Sequence, residues 1–388
     1  MKVLYISIGH VAAGVKQKLT DKAASLRDQG VDIAVCWVGS NVVVEREENH
    51  QVSIGVNQSR AISIGKLFFF WRLSVVFEQY KIYSTLYSHL QNQKFDFLLF
   101  RYPVADYFLW RFMSRFPGKV IFEHNTIEEN ELRIRQSGSF YYRYFLWGEQ
   151  VFGKKVRSLA RGLIGVTPEI TRWQEKISNS LTPCCTITNG IDVTRVKERK
   201  ENPYRGNELR LLLLAGSAAP WHGVDILLNS IDQYKGEIKV HCCIAGAILP
   251  ELRDRIISIK NVSLLSDQTG EQLDRLIDEC HIGIGSLGFK DSFLTQASTL
   301  KVREYWSRGL PFIVGYSDAD LIDNQEMTPF YLKVNTEDRF AMEEVISFAS
   351  RVYSIPHATQ QMRKLAMDHI HYPIKAKAYA QFLKGLLK

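Results

Sequence analysis

The sequence predicts an α/β protein built from two doubly wound domains, and three observations carry this. Short apolar runs alternate with amphipathic stretches from the first residues onward. A charged segment bearing Pro and Gly, residues 195–207, interrupts the alternation. The alternation then restarts, with no readable sequence repeat between the two halves. At 388 residues the chain exceeds one ordinary core and suits two. Its 46% apolar and 23% charged residues are ordinary for a globular protein, so disorder is not expected.

Taken in order, residues 3–8 read as a strand, and residues 16–29 as a helix with Leu19, Ala23 and Leu26 at helical spacing and Gly30 as its stop. Residues 31–38, 95–100, 119–122 and 162–166 read as further buried strands with helical stretches between them. In the second half the strands fall at 209–214, 239–245, 262–264, 282–284 and 311–314. Helical pattern returns at 339–353 and, after Pro373, at 374–387. Alternation of this kind implies parallel sheets covered on both faces. The expected domains are residues 1–192 and 193–373, followed by a helix at 374–388. A cleft between two such domains suits a phosphorylated ligand, because helix N-termini gather at the carboxyl ends of the strands.

The formal net charge of +8 points to anionic partners without choosing among them. The charge is scattered and no nucleic-acid-binding motif is present, so nucleic acid is not expected. None of the six cysteines forms a CxxC pair, which argues against a zinc site and for reduced thiols in a cytoplasmic protein. The start of the chain has no long apolar core of a signal peptide, and no run approaches the ~18 residues needed to span a bilayer. Leu67–Trp71 (LFFFW), between Lys66 and Arg72, reads as core, with a membrane- or acceptor-facing patch as the alternative. The aromatic cluster Phe140, Tyr141, Tyr142, Tyr144, Phe145 and Trp147 is likewise expected to be core packing rather than a sugar- or lipid-facing wall. A peripheral membrane contact stays open.

Several motifs carry chemistry. The first strand ends in Gly9-His10-Val11-Ala12-Ala13-Gly14 before a helix; this is not a dinucleotide fingerprint, and a simple turn explains it as well as a ligand does. The second half holds Ala215-Gly216-Ser217, then Pro220-Trp221-His222-Gly223 before a helix. Later come Gln296, then Ser298 to Tyr305 with Leu300, Lys301, Arg303 and Glu304, and then Gly309-Leu310-Pro311.

In order and spacing these segments resemble the retaining GT-B glycosyltransferases of family 4. There, a glutamate five residues before Gly-x-Pro starts a helix below the donor, as Glu304, Gly309 and Pro311 do here. Thr188-Asn189-Gly190-Ile191-Asp192 resembles the segment at the domain junction, and Glu123-His124-Asn125 the acceptor-side loop. Residues 278–286 resemble the strand before the signature. The resemblance implies two Rossmann-like domains facing a cleft, the first binding the acceptor and the second the nucleotide sugar, with the last helix crossing back to the first domain. It implies a cytoplasmic transferase that takes its co-substrate from the nucleoside-diphosphate sugars and needs no cofactor or metal. The acceptor would be a glycan, a lipid-linked sugar or a protein. His124, Lys301 and Glu304 take the catalytic positions. Gly14, Gly216, Ser217, His222, Gly223, Gln296, Leu300, Lys301 and Glu304 take the donor positions, and Glu123, His124 and Asn125 the acceptor side.

The chemistry of the residues fits those roles. Lys301 is a compact charge for a phosphate oxygen, and Glu304 an acceptor for vicinal ribose hydroxyls. The two are three residues apart and so share a helix face; an ordinary surface ion pair is the alternative. His124 can share a proton near neutral pH or be a satisfied core histidine. Three positions depart from the family: Gln296 replaces a glutamate, Ser217 an arginine and His222 a lysine. Diphosphate charge is then expected to fall to Lys301, Arg303 and partly His222. The same departures motivate an alternative, a catalytically silent partner subunit. A sugar-nucleotide epimerase and a nicotinamide dehydrogenase are the remaining options, the last weakened by the missing fingerprint.

Overall fold

The computed structural model describes residues 1–9, 13–39, 50–55, 68–135, 140–178, 180–289 and 294–387; His10, Val11, Ala12, Lys66 and Leu67 lie outside the described residues. The chain forms two compact units, Met1–Ile187 with Ala376–Lys388, and Thr188–Lys375. The change of unit falls at Ile187/Thr188, a few residues before the expected 192/193. Asn189 already bonds within the second unit, to Ser298, and Ile191 pairs with His371.

The first unit runs β1 (Lys2–Ile8), α1 (Ala13–Asp28), β2 (Asp32–Gly39), β3 (Gln51–Gly55), α2 (Phe68–Leu90), β4 (Phe97–Arg101), α3 (Tyr107–Met113), β5 (Val120–His124), α4 (Glu128–Arg135), α5 (Phe140–Leu159), β6 (Gly162–Gly165), α6 (Pro168–Ile177) and β7 (Cys184–Thr186). Its sheet is parallel throughout, in the order β3-β2-β1-β4-β5-β6-β7. Successive side chains alternate between two buried faces. Leu4, Ile6, Leu98, Phe100 and Phe122 pack toward α2 and α3 through Tyr83, Leu86, Leu109 and Phe112. Val3, Tyr5, Leu99 and Ile121 pack toward α1 and the last helix through Leu19, Leu26, Tyr379 and Leu383. Burial on both faces is why these strands read as unbroken apolar runs.

The second unit runs β8 (Glu208–Ala215), a 3₁₀ turn Pro220–His222, α7 (Val224–Gln233), β9 (Lys239–Gly246), α8 (Arg253–Ser258), β10 (Val262–Leu265), α9 (Gly270–Glu279), β11 (Ile282–Ile284), β12 (Gln296–Ala297), α10 (Leu300–Arg308), β13 (Phe312–Val314), β14 (Ser317–Asp318), β15 (Tyr331–Lys333), α11 (Met342–Val352) and α12 (Ala358–His369). α13 (Tyr372–Leu386) starts here with Pro373 in its first turn, where a missing N–H costs nothing, and from Ala376 onward belongs to the first unit. The sheet is again parallel, in the order β10-β9-β8-β11-β13-β15, with β12 and β14 as a separate two-stranded pair. Strand order reverses between β8 and β11, and the Tyr305 hydroxyl seals that junction by reaching Leu212 O (3.1 Å), Ile284 O (3.3 Å) and Leu214 N (3.0 Å).

The sequence pattern misses five strands: β12 and β14, two residues each, form the separate pair, and β3, β7 and β15 lie at the margins of the large sheets. The last three are short and half-buried, so they carry little of the apolar signal of a central strand. The aromatic cluster on α5 is divided: Phe145 is buried, Tyr142 and Tyr144 are half-buried, and Tyr141 and Trp147 are exposed. All six cysteines are free, Cys36, Cys242 and Cys280 being buried. No helix among the described residues is long and apolar enough to cross a membrane.

α10 is held by Arg303, which is buried and not the phosphate ligand expected above. Its guanidinium bonds both Asp318 oxygens at 2.8 and 2.9 Å, Asp320 Oδ2 at 2.5 Å, Ser298 Oγ at 2.7 Å and Asn189 O at 2.9 Å. Lys375 and Thr188 also bond Asp320. Burial opposes ionisation of Asp320, but Arg303 and Lys375 outweigh it and hold the carboxyl below its usual range. Gly309 ends the helix in the left-handed region (φ 76°), with Thr359 O only 2.6 Å from where a Cβ would stand, so the glycine of Gly-x-Pro is a backbone requirement. Arg303→Ala leaves two buried carboxylates short of charge, and we expect a loss of about 3–5 kcal/mol in urea unfolding. A loss under about 1 kcal/mol, the range of surface pairs, would show that the cluster is not a clamp.

Candidate functional site

In the second unit three of the expected donor positions come together beyond the carboxyl ends of β8 and β11, at the point where strand order reverses. Lys301 Nζ lies 2.9 Å from His222 Nδ1, and His222 Nε2 lies 3.4 Å from the Ser217 hydroxyl. Lys301 sits in the first turn of α10. His222 closes the 3₁₀ turn, and Gly223 follows in the left-handed region (φ 64°), where a Cβ would stand 2.6 Å from Leu287 Cβ. That close approach docks the turn on the end of β11, so Gly223 is required by packing. Gly216 and Ser217 are exposed, and Ser217 lines an open hollow of about 180 Å³ with Pro220, His222, Val224 and Gly288.

The electrostatics favour an anion. No carboxylate lies within ion-pair distance of Lys301 among the described residues, and burial lowers its ammonium to about 7. Burial, and then the Lys301 charge, pushes His222 down to about 2, so the imidazole is neutral, accepting from Lys301 at Nδ1 and facing Ser217 at Nε2. The N-termini add to this. α7, α9 and α10 all begin at this edge of the sheet without a side-chain cap. At α10 the Thr299 hydroxyl turns instead to Tyr316 OH, 2.7 Å away. First-turn N–H groups are left for another acceptor, as at phosphate sites.

The other donor positions are more loosely connected. Glu304 lies one turn along α10, but its Oε1 is held by Arg308 Nε at 2.7 Å, and Arg308 is tied to Asp274 at 2.5 Å. Leu300 is half-buried at the start of α10, and Gln296 is on β12, paired in register with Ser317. Gly14 is in the first unit, exposed in the first turn of α1.

The acceptor-side triplet separates because adjacent strand residues point to opposite faces. Glu123 is fully buried among Lys22 (2.5 Å), Lys18 (3.4 Å), Tyr5 (2.8 Å) and Tyr379, where its carboxylate compensates two lysines. Burial opposes its ionisation, yet Lys22 and Lys18 keep it well below the usual carboxylate range. Asn125 Oδ1 accepts from Lys18 at 2.9 Å. His124 faces the other way, its ring 4.2 Å from that of Tyr102 and its Nδ1 2.8 Å from Glu128 Oε1. Arg157 bridges Glu128 and Glu149 at 3.1 and 2.6 Å. Burial lowers the pKa of His124, so it is neutral with the proton on Nδ1, and its buried Nε2 has no partner among the described residues. The i,i+4 spacing of His124 and Glu128 was legible in the sequence; Arg157, far along the chain, was not. Among the described residues no group of three or more His, Cys, Asp or Glu side chains is placed to hold a metal ion.

No family model and no curated protein matches this chain. Solved structures do match it over its whole length. Sucrose-phosphate synthase from Thermosynechococcus elongatus is 11% identical with a TM-score of 0.69, covering 100% of this chain and 99% of that one. WaaG, a glycosyltransferase involved in lipopolysaccharide biosynthesis, is 12% identical with a TM-score of 0.63, covering 99% and 100%. Anabaena HepE, solved in complex with UDP-glucose, is 11% identical with a TM-score of 0.61, covering 99% and 100%. These matches establish the fold, two parallel-sheet α/β domains of the GT-B type.

Glu123→Gln should cost about 3–5 kcal/mol in urea unfolding at pH 7, because it strands two buried lysines. The native carboxyl is held below its unfolded value of about 4.3. Its contribution is therefore complete above that pH and fades as the pH falls further. The variant should lose part of the wild type's acid sensitivity. Equal unfolding midpoints for the two proteins would show that Glu123 has no such structural role.

Proposed function

We propose that this chain is a glycosyltransferase that transfers a sugar, with retention and without a metal, from a nucleoside-diphosphate sugar to a hydroxyl of a glycan, lipid-linked or protein acceptor. The observation that carries the reading is the Lys301 ammonium, with no carboxylate in ion-pair distance among the described residues, set against neutral His222 and uncapped helix starts at the strand-order reversal of the second unit. Fold likeness to WaaG, called a glycosyltransferase, and to HepE, solved with UDP-glucose, supports the same class of donor. Retention and membership of family 4 rest on the resemblance of the sequence motifs.

In this reading the diphosphate accepts hydrogen bonds from Lys301 and from first-turn N–H groups of α10. The ribose donates to Glu304 once that carboxylate shares itself between Arg308 and the ligand. The bond from the anomeric carbon to the phosphate oxygen breaks, the acceptor oxygen bonds the same face of that carbon, and its proton passes to the departing phosphate. The protein stabilises the charge developing on the diphosphate. Lys301, 2.9 Å from His222, would supply the charge that the resembled family takes from a lysine at the His222 position. His124 Nε2, held in its acceptor tautomer by Glu128, is assigned a substrate hydroxyl.

One observation favours the silent-subunit reading: His124 and Glu123 are completely buried, and Glu304 is already paired. Incubating the purified chain with a panel of nucleotide sugars, with and without acceptors, decides between them. Release of nucleoside diphosphate supports the enzyme, and none from any donor supports the silent subunit.

Lys301 also makes donor binding dependent on pH. Its free-state value is about 7, and an anion in contact with it raises that value. Affinity for a nucleoside diphosphate should therefore fall by up to tenfold per pH unit above neutrality. Lys301→Met should weaken binding by about tenfold or more at pH 7 and flatten the slope. Calorimetric titrations from pH 7 to 9 that give parallel lines for the two proteins would remove Lys301 from the donor site.

A further inference from the structure

We propose that the outer face formed by α2, α3 and α5 of the first unit is a docking surface for a membrane rich in anionic lipid headgroups. An unbroken chain of aromatic rings crosses the three helices. Phe77 stacks on Tyr80 at 6.3 Å, and Tyr80 meets Phe108 at 6.0 Å. Tyr107, beside Phe108, meets Phe152 at 6.0 Å, and Phe152 meets Trp147 at 6.1 Å. Much of this surface faces solvent: Phe77 and Tyr80 are each 52% exposed, Tyr107 45% and Trp147 54%. A contiguous exposed apolar patch of this kind marks an interaction site, whereas scattered surface aromatics do not.

The charge around the rings selects the occupant. Exposed or half-exposed Lys81, Arg111, Arg115, Arg143, Lys154 and Lys155 surround them, and among the described surface positions of these helices the one opposing carboxylate is Glu78. Glu149 is buried against Arg157, and the acids of neighbouring α4 are engaged locally, Glu129 by Arg133 and Glu131 by Arg135. Three of the cations already lie over rings: Lys81 over Phe77 at 4.6 Å, Arg115 over Tyr87 at 4.2 Å and Lys155 over Phe152 at 5.6 Å. On α5, Arg143, Trp147, Val151, Lys154 and Lys155 share one face by helical spacing. Rings with polar tips next to long basic stems suit the boundary between acyl chains and headgroups. The rings enter the apolar side, while the stems lie along it and the cations stay at the phosphates. The attraction is additive over basic residues and screened by salt. None of these helices spans the bilayer, so the contact is peripheral.

This inference is independent of the reaction proposed above, since vesicle binding needs neither donor nor acceptor. Co-sedimentation of the full chain with vesicles tests it. Phosphatidylcholine vesicles containing about 30% phosphatidylglycerol should bind at least tenfold more protein than pure phosphatidylcholine, and the binding should fall as salt rises. Lys154→Glu with Lys155→Glu should weaken it tenfold or more. Trp147→Ser should weaken it several-fold. The same charge change elsewhere, Lys364→Glu with Lys384→Glu, should leave it in place. The thermal unfolding midpoint of each variant shows whether it is folded; if Trp147→Ser is not, the two charge-reversal pairs carry the test. Indifference to lipid charge, or equal loss in the two charge-reversal pairs, would overturn the proposal. So would a dimer in sedimentation equilibrium that Trp147→Ser dissolves while the chain ignores vesicles, since the face would then bind a second copy.

Discussion

The second unit depends on one buried cation. Arg303 gathers Asp318, Asp320, Ser298 and the Asn189 carbonyl, and so ties α10 to the segment that opens the unit and to β14. With the helix pinned there, the residue two positions earlier reaches the strand-order reversal and the residue two positions later seals it. Lys301 meets His222, and Tyr305 locks β8 to β11. An arginine suits the clamp because its planar fork serves two carboxylates and a carbonyl together and stays charged when buried.

The buried lysines Lys18 and Lys22 contrast with the half-buried Lys301 of the candidate site. In the first unit Lys18 and Lys22 share the Glu123 carboxylate, with Tyr5 and Tyr379 completing its shell. Among the described residues Lys301 has a neutral imidazole beside it and no counter-charge for its desolvation. A cation left in that state is costly to the folded protein and useful to an anionic ligand, which restores the missing charge when it binds. The contrast separates a lysine that serves the fold from one that is available to a substrate.

Charge and aromatic surface are segregated along the chain. In the second unit the candidate site sets Lys301 beside uncapped helix starts. The first spreads positive charge over an aromatic face on α2, α3 and α5, away from the acids of α4.

The alternation of apolar runs and amphipathic helices was enough to read two parallel α/β units, because a strand buried on both faces leaves a continuous apolar signature that no solvent-facing strand imitates. The resemblance around Glu304, Gly309 and Pro311 implied a helix there, and the structure set its bounds, Leu300–Arg308 with Gly309 as its end. Other assignments needed the tertiary structure. Arg303 and Lys301 look interchangeable as basic residues of one helix, yet two carboxylates 15 and 17 residues further on claim the first and leave the second. Glu123 and His124 are neighbours in sequence, and strand geometry sends them into different networks. The aromatics of α5 divide into core and surface according to which side of that helix meets α3 and α4. In each case burial and partners are set by residues distant in the chain, and these decide what a charged or aromatic side chain is free to do.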